Sequence, residues 1–214
     1  MIGVKIGNKH TFKDWGLKVL AFNVTLPERQ KQLFQVPGRN GKIDVSLREQ
    51  RCAYKSRTIK IVCDSLDRDF AEWANLVSDI ANEVQDERLR IIPDFDKDYY
   101  YEGWVNFQPS KDFMVSSKMT FVIDADPYKM KNDITVIDVA VNGSETVILS
   151  NEKREAEPKL ITDGEVTVIM GESFKKAFMA GEHESMGIVL EKGETQLTLE
   201  GTANIRLEYR EGKL

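Results

Sequence analysis

The stretch Phe121-Val122-Ile123-Asp124-Ala125-Asp126-Pro127-Tyr128 is where the chain changes character. Upstream of it lie all three tryptophans (Trp15, Trp73, Trp104), both cysteines (Cys52, Cys63) and the one strongly helical pattern. Downstream come short β-patterned segments separated by glycine turns. A chain of 214 residues is long enough for two small domains with a core each. The reading is therefore two domains, residues 1–128 and 129–214, with the joint at this stretch.

Working back from the joint, Phe113 to Ile123 reads as a strand, and Tyr99, Tyr101, Trp104, Val105 and Phe107 as the strand before it. Between Leu89-Arg90-Ile91-Ile92-Pro93, a short strand, and Tyr99 sits Asp94-Phe95-Asp96-Lys97-Asp98. Its alternating aspartates suggest calcium, but an EF-hand loop needs glycine at its sixth position and glutamate at its twelfth, where this chain has Tyr99 and Val105. It reads as an acidic hairpin turn.

Further upstream the period changes from 2 to 3.6. Leu66, Phe70, Trp73, Val77, Ile80 and Val84 form one stripe, with Asp67, Arg68, Glu72, Asp79 and Glu83 off it. This predicts an amphipathic helix near 66–86, N-capped by Ser65, lying on one face of a sheet with Trp73 as its anchor. Before it, Thr58 to Cys63 alternates as a strand with Cys63 inside, and Leu20, Phe22 and Val24 alternate as the apolar face of another. Gly7-Asn8 marks a hairpin, and Pro37-Gly38 with Asn40-Gly41 marks a sharp reversal after Leu33-Phe34-Gln35-Val36. Gly41-Lys42 is not a phosphate loop, since Ile43 stands where Ser or Thr is needed.

Beyond the joint the expected strands are Ile134–Val141, Thr146–Leu149, Lys159–Thr162, Val166–Met170, Phe174–Phe178, Gly187–Leu190, Gln196–Leu199 and Asn204–Tyr209. Asn142-Gly143, Asp163-Gly164, Met170-Gly171, Lys192-Gly193 and Glu200-Gly201 read as the turns between them. The fold class is mainly β: an N-terminal α+β sandwich with one flanking helix, then a jelly-roll-like antiparallel β-sandwich.

Composition excludes more than it assigns. No run approaches the ~20 apolar residues of a membrane span, and no secretory signal opens the chain, so folding in a cytoplasm with free thiols is expected. Residues 1–128 carry 19 basic and 19 acidic side chains and residues 129–214 carry 11 and 16. Neither half has the basic balance of a nucleic-acid binder, and the cluster Arg48, Arg51, Lys55, Arg57, Lys60 reads as a solvated face. His10 and His183, read as surface residues, have no nucleophile motif beside them, and no zinc spacing is present. No catalytic, cofactor or metal residue is assigned.

Four segments together carry a resemblance. Asn8-Lys9-His10-Thr11-Phe12-Lys13-Asp14-Trp15-Gly16-Leu17, the turn Val36-Pro37-Gly38-Arg39-Asn40-Gly41-Lys42-Ile43-Asp44, the joint Asp124-Ala125-Asp126-Pro127-Tyr128 and the ending Ile205-Arg206-Leu207-Glu208-Tyr209-Arg210-Glu211-Gly212-Lys213-Leu214 resemble, in order and spacing, the distal tail proteins of long-tailed, non-contractile bacteriophages. The resemblance spans nearly the whole chain. It implies a structural virion protein whose N-terminal domain forms a homohexameric ring and whose C-terminal, galectin-like sandwich projects outward. In that family the ring is the hub between the tail tube and the baseplate or tail tip. The implied partners are tube protein, tape-measure protein and a hub, fibre or receptor-binding protein; the implied location is the virion tail tip, with assembly in the bacterial cytoplasm. The chain lacks the long second-domain insertion with which larger relatives bind saccharide, and its second domain has no tryptophan. A carbohydrate-binding module and a small hydrolase are the alternative readings.

Overall fold

A computed structural model describes residues 2–31, 33–35, 37–38, 40–44, 53–65, 69–111 and 117–214. They form two units, Met1–Pro127 and Tyr128–Leu214.

In the first unit the strands are β1 (Val4–Ile6), β2 (Lys9–His10), β3 (Lys18–Val24), β4 (Leu33–Gln35), β5 (Lys42–Asp44), β6 (Arg57–Asp64), β7 (Arg88–Pro93), β8 (Tyr99–Lys111) and β9 (Ser117–Ala125), with one helix, α1 (Phe70–Val84). Seven strands make a sheet in the order β2-β1-β7-β8-β9-β6-β3, and among the described residues β4 pairs only with β5. The hairpin read at Gly7-Asn8 joins β1 to β2, and the acidic turn joins β7 to β8. Alternation sets the inner face: Ile59, Ile61 and Cys63 on β6 and Met119, Phe121 and Ile123 on β9 are fully buried. The sheet curls, because Phe22 on β3 reaches Phe95 (ring centroids 5.3 Å apart) and Tyr101 of β8 (6.4 Å) across two intervening strands. A flat sheet would hold β3 and β8 at three strand spacings, about 14 Å. The segment Thr11–Leu17 closes over this core. Thr11 Oγ1 accepts from Val4 N (3.0 Å) and Trp15 stacks on Phe121 at 5.9 Å.

Three expectations are corrected here. Leu20 is half exposed while Val19, Phe22 and Val24 pack on the core, because a bulge between Val19 and Ala21 shifts the pleat. The helix is capped by Asp69, whose side chain accepts from Glu72 N at 2.8 Å; Ser65 is buried and hydrogen-bonded to Ser117. The helix's fully buried anchors are Ile80 and Val84, with Trp73, Leu76 and Val77 partly buried beside them and Phe70 half exposed. Leu66, Asp67, Arg68, Cys52 and Phe113 to Ser116 lie outside the described residues.

In the second unit the strands are β10 (Lys129–Lys131), β11 (Thr135–Asn151), β12 (Lys159–Thr162), β13 (Val166–Met170), β14 (Phe174–Phe178), β15 (Gly181–His183), β16 (Gly193–Tyr209) and β17 (Gly212–Lys213). β11 and β16 are single 17-residue strands paired over their whole length, from Thr135↔Tyr209 to Asn151↔Gly193. On its other side β16 carries β13 along 198–201 and β12 along 205–208. The expected antiparallel sandwich is thus built around one long ribbon. Asn142-Gly143 and Glu200-Gly201 are not turns. Gly143 (φ 97°) lies opposite Gly201 (φ 148°), and both strands continue through the bend, with apolar residues on the inner face on either side of it (Val141 and Val147 on β11, Leu199 and Ala203 on β16). A side chain at Gly201 would meet Glu165 O at 2.6 Å, so the bend brings a third strand's approach hard against the backbone. Of residues 187–190, read from sequence as a strand, Ile188 and Leu190 are buried, but the segment forms only the bridge Ala156↔Leu190 and no strand.

Candidate assembly interface

β3 and β6 do not end where the sheet ends. Their ladder runs Val24↔Ile59, and the bridge Arg29↔Tyr54 keeps the same register five residues further along each strand. Between them Thr25 N donates to Thr58 O (3.0 Å), Lys55 N to Glu28 O (2.9 Å), and beyond them Gln30 N to Ala53 O (2.8 Å). The chain therefore continues as a two-stranded arm with the β4–β5 hairpin further out, its strands registered Leu33↔Asp44 to Gln35↔Lys42. Pro37-Gly38 and Asn40-Gly41, read from sequence as a reversal, form the connection between them.

The arm has no core. None of the described residues from Thr25 to Ser56 is buried. Leu26 is 79% exposed, Phe34 60% and Leu33 49%. A lone two-stranded hairpin is at best marginally stable in water, and three large apolar side chains on one such arm are apolar surface awaiting a partner. The arm is also the basic part of a net acidic chain: residues 25–56 hold seven Lys or Arg and three Asp or Glu, against a formal charge of −5 for the whole. Lys55 and Glu28 pair at 3.1 Å, both well exposed. The sequence reading found the reversal but not the lack of a core beneath it, because nothing in a local window reports what fails to pack.

The basic cluster read from sequence divides. Lys55 is on the arm, while Arg57 is buried, with its guanidinium 5.5 Å from the Tyr101 ring centre and bonded to Pro127 O. Burial pushes the Arg57 pKa down, against the opposing pull of Tyr101. Arg48 and Arg51 lie outside the described residues.

Both histidines, read from sequence as surface residues, are partly buried and hydrogen-bonded. His10 Nδ1 accepts from the amides of Phe12 and Lys13 (3.1 Å each), so Nε2 carries the proton and donates to Asp94 Oδ2 at 3.2 Å. Asp94 also accepts from Gly3 N at 2.8 Å; His10 and the acidic turn together clamp the start of the chain to the β7–β8 turn. His183 Nε2 donates to Met179 O at 2.8 Å and its ring meets Phe178 edge-on. Cys63 is a free, buried thiol, and burial pushes its pKa up to about 12. Among the described residues no group of three or more His, Cys, Asp or Glu side chains is placed to hold a metal ion, and no helix is long and apolar enough to cross a membrane.

The second unit has a shallow groove of about 560 Å³, lined by Asp138, Ala140, Ile161, Asp163, Asn204 and Arg206 among others. Its polar groups are engaged with one another. Arg206 bonds both oxygens of Asp138 (2.7 and 3.2 Å), and Asp163 accepts from the amide and side chain of Asn204 (2.7 Å each). These bonds lower the pKa of both aspartates. No aromatic side chain lines it; Phe178 and Tyr209 are in the core, with Phe174 packed against it.

No protein-family model and no curated protein matches the sequence. In structure the chain is similar to the Dit (gp 19.1) protein of SPP1, with a TM-score of 0.70 at 12% identity over 100% of both chains. That crystal structure is described as a paradigm of the hub adsorption apparatus in phages infecting Gram-positive hosts. What the two chains share is the fold, and it is the fold that the resemblance drawn from sequence implied.

Proposed function

We propose that this chain is a structural, non-enzymatic hub protein of a bacteriophage tail tip, assembling through its first unit into a hexameric ring that joins the tail tube to the adsorption apparatus. The observation that carries the reading is the arm: a coreless β-ribbon with Leu26, Leu33 and Phe34 exposed, rooted in the edge strand β3. An edge strand and an unsupported hairpin are both surfaces that a neighbouring subunit would cover. A ring, with heterologous contacts repeated around a closed rotation, gives every arm such a neighbour and leaves none over. The fold shared with a phage hub protein along the whole chain favours the same assignment.

The tube, tape-measure and fibre or receptor-binding proteins of such a tail are the partners this role entails. Purified protein examined by negative-stain electron microscopy, with its mass measured by light scattering over a concentration series, is expected to show six-membered rings. A monomer persisting to high concentration, with no closed particles, refutes the ring.

A further inference from the structure

The second unit has a strand that should not be left as it is. Among the described residues β11 is hydrogen-bonded to β16 and to no other strand, so one edge of a 17-residue strand has no partner strand. Antiparallel pairing turns the amide and carbonyl groups of alternate residues to opposite sides, so roughly half of these residues present them along the free edge. Proteins blunt such edges with lysine, proline or brevity. The unit's other edges obey that rule: β15 has three residues, and β14 carries Lys175 and Lys176. β11, reading TVIDVAVNGSETVILSN, has neither lysine nor proline, and Val136 and Ile148 on its outer face are 46% and 57% exposed.

We propose that β11 pairs along this edge with β11 of a second copy of the chain, antiparallel about a two-fold axis, with Gly143 opposite Gly143. The bend selects the occupant. A strand added beside β11 must bend where β11 bends, as β16 does by placing Gly201 opposite Gly143. A second β11 centred on Gly143 supplies that bend by symmetry, and a two-fold perpendicular to the sheet keeps outer face with outer face. The register it imposes also suits the side chains. Asp138 falls opposite Ile148, Glu145 opposite Val141, and Asn142 opposite Ser144, so neither acid meets another across the edge. Ile148 gains Val136 of the other copy as its diagonal neighbour, and the contact occurs twice, covering both exposed apolar residues of the outer face. β11 belongs to the second unit and the arm to the first, so the pairing is tested independently of the ring.

Oxidative cross-linking in the full-length protein tests the register. Residues directly opposite in an antiparallel ladder have Cα atoms about 4.5–5.5 Å apart, within the range a disulfide bridges. Asn142→Cys mixed with Ser144→Cys is expected to give a covalent dimer well above the background of the parent chain, while each variant alone does not, its equivalent residues being offset by two positions. Charge gives a second readout by sedimentation. Ile148→Glu, facing Asp138, is expected to halve the mass at a given concentration, whereas Ile148→Lys preserves it. A parent that is only a dimer still supports the pairing. No mixed disulfide, equal cross-linking in the single variants, or a mass indifferent to Ile148→Glu each overturns it.

Discussion

Phe34 is the sharpest probe of the proposed ring, because it stands on an element whose loss should not affect the core. It is 60% exposed, next to Leu33 at 49%, on a hairpin that among the described residues joins no larger sheet. A phenylalanine offers about 200 Å² to bury, so covering the remaining three-fifths removes roughly 120 Å² from water, worth about 3 kcal/mol per contact. Phe34→Ser should therefore weaken each subunit contact by about 3 kcal/mol, roughly 150-fold in its dissociation constant. In a ring each subunit makes that contact in turn, so the assembly is expected to dissociate over a dilution range where the parent stays closed. Sedimentation velocity reads this directly, and thermal unfolding of the dissociated protein should be unchanged, since no described residue of the arm is buried. An unchanged mass over the dilution series refutes the reasoning. A melting temperature lowered as far as a core substitution lowers it also refutes it, because the arm would then be part of the core.

Four further outcomes are expected. Asp69→Ala should cost about 1 kcal/mol in chemical denaturation through loss of the N-cap, and Ile80→Ala about 2–5 kcal/mol through a cavity beneath the helix. Gly201→Ala should destabilise the protein by roughly 1–3 kcal/mol, because φ is 148° and the new methyl meets Glu165 O at 2.6 Å; calorimetry checks it. For Glu211, burial pushes the carboxyl pKa up, but hydrogen bonds from Thr135 (2.6 Å) and Lys131 (2.9 Å) outweigh it and hold the pKa below the ordinary 4.5. The ionised form thus favours the native state: its contribution is complete above pH 4.5 and is lost as the pH falls through the lowered native value. Glu211→Gln should flatten the acid limb of a stability-against-pH curve, and an unchanged limb counts against the assignment.

Much of the fold was legible because its signals were local. The period of 3.6 from Phe70 to Val84, the alternation of Ile59, Ile61 and Cys63, and the Gly7-Asn8 hairpin each depend on neighbours a few residues apart. The failures were non-local. Gly143 and Gly201 do adopt positive φ, as turn glycines would, but whether the chain then reverses depends on a partner strand 58 residues away that bends with it. Leu20 was misplaced by one bulge, which moves a side chain to the other face without altering composition. Of the assembly surface, the reversal was readable in Pro37-Gly38 and Asn40-Gly41; the exposure of Phe34 was not, since Leu33-Phe34-Gln35 resembles any half-buried strand until the missing layer is seen.

The pairing of β10 with β17 returns the end of the chain to the place where the second unit begins: Lys129 lies opposite Lys213, and Thr135 opposite Tyr209 just beyond. The unit is therefore a cassette, leaving and rejoining its starting point within one strand spacing. A cassette of this kind can be exchanged, permuted through a short linker between its ends, or enlarged at an open turn such as Gly171 without altering where its two ends lie. A fluorescent label fused after Leu214 would accordingly report the position of the strand with which the second unit begins.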